Sequence, residues 1–253
     1  MNYKKILRTL GAVVFWLLLW TLISWKVNRA LLIPSPKETV LRFIELAGEK
    51  QFYLVVLRSL VNILAGFAAG TVFAVLAAVV CHASKTADAL FSPAMTVIRS
   101  TPVASFIILA LVFIGKKFVP TLICFMMVSP VIFSAVSNGI RLRDKDNLEM
   151  LNVFNVGFFR KLFSFQLPSL LPFLAEGCSN ALGLAWKAGI AAEVLCTPQD
   201  TIGIKLYESK LYLETTDVFC WTLVVILMSL LLEAALKRLM GKMKRGGAAD
   251  EKN

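Results

Sequence analysis

Within the apolar run from Phe173 to Leu195, Glu176, Asn180, Gly183 and Lys187 recur at spacings of four, three and four residues, on one stripe of a helix. In lipid, ionisable side chains are costly and face a protein interior or a water-filled path. At a rise of about 1.5 Å per residue, Glu176 and Lys187 stand roughly 16 Å apart along the axis, too far to pair with each other. Each needs water or another partner. Lys187 could attract an anion; the structural alternatives are an ion pair with Glu193 of the same or a neighbouring helix, or snorkelling to the outer interface. Arg99 precedes Pro102 in a helix expected to kink there, and reads equally as a gate residue or an inner-interface anchor. The stripe and Arg99 are therefore candidates for lining a path through the membrane. Covalent chemistry has little to work with. His82 is the only histidine, which excludes His-based metal clusters, and the five cysteines (Cys81, Cys124, Cys178, Cys196, Cys220) lack CxxC spacing and read as small hydrophobes. A membrane enzyme would need a nucleophile clustered with acid/base groups, for which histidines and paired carboxylates are too scarce. No catalytic residue, metal site or cofactor is expected.

The elements that must position these residues are membrane helices. The chain has 253 residues, of which 58% are hydrophobic and 17% charged, far more apolar than a soluble domain. Six windows approach the roughly 20 apolar residues needed to cross a hydrocarbon core about 30 Å thick. They run near Leu10 to Trp25, Val55 to Cys81, Phe91 to Ile114, Phe118 to Ile140, Phe173 to Leu195 and Val218 to Leu236. The expected fold is an all-α integral membrane protein with six spans. Lys4, Lys5 and Arg8 before the first run resemble a signal peptide, but Trp16, Trp20, Leu22, Ile23 and Trp25 leave no small-residue cleavage site, so the run is expected to stay as a span.

Lys and Arg favour the cytoplasmic side. With the N-terminus inside, inside segments carry 15 of them and outside segments 10, so both termini are expected to be cytoplasmic. The formal net charge of +11 is thus a topology signal, and no aromatic-interleaved basic patch suggests nucleic acid. The tail from Lys237, KRLMGKMKRGGAADEKN, reads as an anchor to anionic lipid followed by a disordered end. On the outer side, Ser35 and Glu38 have capping-box spacing around Pro36, starting an amphipathic element to about Gly48 whose Val40, Leu41, Ile44 and Leu46 suggest a membrane-surface position. The chain divides into residues 1–54, the first span and this outer segment; 55–240, the transmembrane core; and 241–253, a cytoplasmic tail. It has no internal repeat.

The core contains a cytoplasmic loop, about 141–172, that is rich in phenylalanine. Asp146 and Glu149 have capping-box spacing, and Leu148, Leu151 and Phe154 recur at helical spacing. Asn155 and Gly157 tolerate the left-handed conformation that ends a helix. Phe158, Phe159, Leu162, Phe163 and Phe165 then need a cover, either a partner or the protein's own spans. Leu167-Pro168 and Leu171-Pro172 are expected to break the helix and turn the chain into the fifth span.

This loop resembles the one carried by permease subunits of bacterial ATP-binding-cassette (ABC) importers, which reads EAA, three residues, Gly, nine residues, Ile, one residue, Leu-Pro. Glu149 takes the Glu position, Asn155 the Gly, Phe165 the Ile, and Leu167-Pro168 the closing pair. Met150 and Leu151 replace the alanines, and Asn155 is the next most tolerant residue after glycine for positive φ. The chain is similar in particular to the nitrate/sulfonate/taurine importer permeases. The matching segments are Ile33-Pro34-Ser35-Pro36, Ala65-Gly66-Phe67, Arg99-Ser100-Thr101-Pro102, and Gly183-Leu184-Ala185-Trp186 through Ala191-Ala192-Glu193. The resemblance implies a type I importer permease fold (MetI-like) with a cytoplasmic coupling helix, in a bacterial inner membrane. It also implies a second permease copy, a pair of cytoplasmic ABC ATPase subunits and an external substrate-binding protein. Glu149, Leu151, Phe154, Asn155, Phe158, Leu167 and Pro168 would couple to the ATPase, with Arg99, Glu176, Asn180, Gly183 and Lys187 lining the path.

The chain lacks a G-x-x-x-x-G-K-[ST] phosphate loop, because the pairs at Gly115 and Gly241 are followed by Lys117 and Met243. ATP hydrolysis must come from another subunit. Permeases for a thiamine precursor, riboflavin or another small metabolite share much of this pattern. A channel or secondary transporter would explain Glu176, Lys187 and Arg99 but not the phenylalanine-rich loop.

Overall fold

A computed structural model describes residues 3–27, 32–142 and 167–250. All regular structure there is helical: α1 Tyr3–Val27, α2 Pro36–Ala47, α3 Lys50–Ala83, α4 Lys85–Ser100, α5 Val103–Ile114, α6 Val119–Arg141, α7 Leu167–Cys196, α8 Ile202–Leu211 and α9 Thr215–Asp250. Four helices are long and apolar enough to cross a membrane, with spans at Leu10–Val27, Lys50–Ala83, Val119–Arg141 and Thr215–Gly241. The pair α4 and α5 makes a fifth if it counts as one span.

Two expected spans therefore take a different form. The run from Phe91 to Ile114 is not one kinked helix but two helices bent by 105°. Pro102 has no amide to continue the hydrogen-bond ladder and drives the residue before it out of the helical region. Thr101 accordingly adopts φ −81°, ψ 134°, and its hydroxyl donates back to the Val97 carbonyl at 2.8 Å. The run from Phe173 to Leu195 lies within α7, thirty residues long. Glu176, Asn180, Lys187 and Glu193 dilute its apolar content, and it is not among the helices apolar enough to count as a span. The helix also runs straight through Pro172, contrary to the break expected there. Pro172 is close enough to the start that it sacrifices a single hydrogen bond, to the Pro168 carbonyl. The tail expected to be disordered is helical to Asp250, since Leu239, Met240, Lys242, Met243, Lys244 and Arg245 are good helix formers that carry the helix past its glycines.

The chain forms two compact units, one of Met1–Ser59 with Thr197–Leu227 and one of Leu60–Cys196 with Met228–Asn253. In the first, α2 begins as its sequence requires. The Ser35 hydroxyl accepts from the Glu38 amide at 3.2 Å, and Glu38 accepts from the Ser35 amide at 2.8 Å. Val40, Leu41 and Ile44 are exposed while Leu46 is buried. The Trp20 indole donates to the Pro34 carbonyl at 3.1 Å, and Ser24 donates to Ile33 at 3.0 Å, fastening the segment before α2 to α1. Arg42 makes a two-pronged bond to Asp217, at 2.7 and 3.0 Å. Asp217, with Glu45 second, raises the pKa of this guanidinium above its ordinary value, so it stays charged at any working pH.

In the second unit, α6 is the centre. Of its apolar window 61% is buried, against none of that in α1. Val119, Ile123 and Met127 pack with Ile107 and Ala110 of α5 and with Ala188, Ala192 and Cys196 of α7. Helices associate in lipid through close packing, because hydrocarbon gives no hydrophobic drive between them. The contacts show it: a Cβ on Gly70 of α3 would sit 2.8 Å from the Phe125 carbonyl oxygen, and one on Gly189 of α7 would meet Ile63 at 2.6 Å and the Cys124 sulfur at 2.7 Å. At this junction Thr121 donates to the Asn62 carbonyl at 3.1 Å and Cys124 to the Ala185 carbonyl at 3.3 Å. The core thus holds α7 in a fixed rotation.

Candidate functional site: a polar cleft between α7 and α9

That rotation decides what α7 exposes. Cys178, Ala181, Leu182, Ala185, Trp186, Ala188 and Ala192 are buried. Glu176, Asn180 and Lys187 are exposed and Gly183 is half-exposed, so the stripe expected from sequence spacing lies on the open face. Lys187 takes part in no ion pair among the described residues, and Glu193 is fully buried in the same helix. The expected alternative of a Lys187–Glu193 pair within α7 does not form. Arg99 is exposed in the last turn of α4.

The structure adds two residues to the stripe. Glu233 of α9 brings Oε1 to 3.5 Å from where a Gly183 Cβ would stand, and it pairs with Lys237 one turn on at 3.9 Å. Toward the start of α7, a cavity of about 410 Å³ opens between Pro172, Phe173, Glu176 and Ser179 on one side and Leu236, Lys237 and Met240 on the other. Glu233 and Lys237 escaped the sequence reading because Lys237 counted only as a tail cation. The available signal was a glutamate inside an apolar run, four residues before a lysine, the spacing of a helical ion pair. The cleft therefore carries acidic and basic groups on two helices, with an apolar floor. It can hydrate and electrostatically select a small solute, but holds no nucleophile with a base beside it.

Elsewhere, His82 is exposed at the end of α3, beside a pocket of about 140 Å³ lined by Cys81, Asp88, Ser137 and Arg141. All five cysteines are buried free thiols, as expected for small hydrophobes. Glu149, Leu151, Phe154, Asn155 and Phe158 lie outside the described residues. Leu167 and Pro168 open α7, where proline in the first turn forfeits no helical hydrogen bond.

Several helices long and apolar enough to cross a membrane make this a multi-pass membrane protein. Residues 70–245 match the family described as binding-protein-dependent transport system inner membrane component, and the chain belongs to that family. Its membership implies an ATPase and a substrate-binding protein as partners. The chain is 22% identical over 231 residues to the taurine transport system permease protein of Escherichia coli K12, covering 88% of this chain and 83% of that one. It is also 22% identical over 219 residues to a putative aliphatic sulfonates transport permease protein of Bacillus subtilis 168, covering 86% and 79%. The chain is likewise 22% identical over 241 residues to a bicarbonate transport system permease protein of Synechococcus elongatus, covering 90% and 86%.

Proposed function

We propose that this chain forms the translocation path of an ATP-driven importer for a small anionic solute such as taurine, another sulfonate, nitrate or bicarbonate. The solute is delivered by an external binding protein and driven by a separate ATPase dimer. The observation that carries this reading is the open polar stripe on α7, with Lys187 accessible, in a member of the importer permease family whose relatives are named for anionic or zwitterionic solutes. In this account the chain crosses the membrane six times with both termini cytoplasmic, and pairs with a second copy. Residues 143–165 act as the coupling lever: Glu149, Leu151, Phe154, Asn155 and Phe158 fit a groove on the ATPase, and Leu167-Pro168 passes the movement to α7. Lys187 attracts the anion, Asn180 and Gly183 continue the path, Glu176 stands at its inner end, and Arg99 gates at the break between α4 and α5. Pro102, which has no amide to donate, places a hinge for that gate at the bend.

Uptake of radiolabelled taurine, ethanesulfonate and bicarbonate, in cells expressing the chain with its own ATPase and binding protein, tests this. Lys187→Ala is expected to lower uptake of the transported anion about tenfold, the scale of one charge-assisted contact, without lowering the amount of permease in the membrane. Lys187→Arg should retain most of it. Equal loss of uptake and membrane accumulation would instead make Lys187 structural.

A further inference from the structure

The cavity at the start of α7, at the inner end of the proposed path, has a size and an apolar wall that a small hydrated solute does not need. Its wall is apolar on both helices, with Pro172 and Phe173 facing Leu236 and Met240, while Glu176 and Lys237 put opposite charges on its lip. Glu176 takes part in no hydrogen bond or ion pair among the described residues. Lys237 is two-thirds exposed and its 3.9 Å contact with Glu233 is long, so both charges are available. The apolar span of α9 ends at Gly241, beside the cavity, which therefore sits where hydrocarbon gives way to headgroups. A ligand for this place needs a primary ammonium for Glu176, an anionic oxygen for Lys237 and an apolar body against Phe173, Leu236 and Met240.

The geometry points to a bound phosphatidylethanolamine, its ammonium on Glu176, its phosphate on Lys237 and the upper part of its acyl chains along Phe173, Leu236 and Met240. A choline headgroup has no N–H to donate, and a glycerol headgroup has no positive charge, so each loses one of the two charge-assisted contacts. About 410 Å³ accommodates a headgroup and glycerol, and is far larger than a taurine-sized solute requires. The basic tail attracts anionic lipid by charge alone, a selectivity of the opposite kind.

Purified full-length permease in detergent, given equal amounts of phosphatidylethanolamine, phosphatidylcholine and phosphatidylglycerol with identical chains, is assayed by native mass spectrometry. One phosphatidylethanolamine should be retained about tenfold over phosphatidylcholine, the scale of one charge-assisted hydrogen bond. Glu176→Gln should remove that preference, and Lys237→Gln should weaken phosphatidylethanolamine and phosphatidylglycerol together. Replacing the tail cations Lys242, Lys244 and Arg245 by Gln should reduce phosphatidylglycerol alone. Because Glu176 and Lys237 are exposed, these variants should keep the parent's helical circular dichroism and monodispersity. Equal retention of phosphatidylethanolamine and phosphatidylcholine by the parent, or a preference that survives Glu176→Gln, overturns the site. Neither result depends on transport, so the importer reading stands or falls separately.

Discussion

Each of the two compact units is held together internally, and by different physics. In Met1–Ser59 with Thr197–Leu227, segments remote in sequence are joined by polar side chains: Arg42 to Asp217 at 2.7 Å, Arg58 to Asp200 at 2.6 Å, and the Ile202 amide to the Ser59 hydroxyl at 2.8 Å. In the other unit, α3, α6 and α7 meet almost backbone to backbone, at Gly66, Gly70, Gly177 and Gly189. Water screens and competes for charges, so a polar fastening is adjustable and individually modest. Lipid offers no such competition and no hydrophobic drive, so helices are held chiefly by close fit, supplemented by hydrogen bonds such as Thr121 to the Asn62 carbonyl. The first unit should be sensitive to charge and tolerant of volume; the second should be the reverse.

The largest expected effect follows from volume. Gly70→Leu must push a side chain into the Phe125 backbone and into Val128, whose Cβ is 3.1 Å from even the first added atom. It should cost more than about 3 kcal/mol, read as loss of folded protein in a thermal melt. Gly11→Leu, with nothing within 4 Å, should leave the melt unchanged. Next comes charge. Arg42→Ala leaves Asp217, whose side chain is only 13% exposed, without its two-pronged partner, at an expected cost of about 2 kcal/mol. The exchange of Arg42→Asp with Asp217→Arg should recover part of it; a double variant no better than the worse single one would show that the pair is not what joins these segments. The smallest effect is at Asp200, which has φ 54° and holds the half-exposed Arg58. Asn adopts that backbone equally well, and exposed pairs are weak, so Asp200→Asn should cost under about 1 kcal/mol. A larger loss would mean that polar fastening in this unit is stronger than solvent-exposed geometry allows.

What could be read from sequence follows the same division. The stripe on α7 was legible because helical spacing alone fixes which residues share a face. The capping box at Ser35 and Glu38 was legible because both partners lie within one turn. The break at Pro102 was legible as a kink, but its 105° depends on how α4 and α5 pack on α6, which local propensity does not encode. Glu233 was missed because its place beside Gly183 is a contact between helices fifty residues apart in sequence. The pairing of Arg42 with Asp217 spans 175 residues, and no local pattern announces it.

The central proposal is that this chain transports only when driven by a separate ATPase engaged through residues 143–165. Purification of the tagged chain from its native host in mild detergent tests it most directly. The account predicts recovery of a subunit bearing a Walker-type phosphate loop, which is lost, together with ATP-coupled uptake, when Glu149→Ala and Phe154→Ala are combined while the permease itself remains in the membrane. Recovery of the chain alone, with transport intact in vesicles free of ATP, would contradict it and make the protein a channel or secondary carrier.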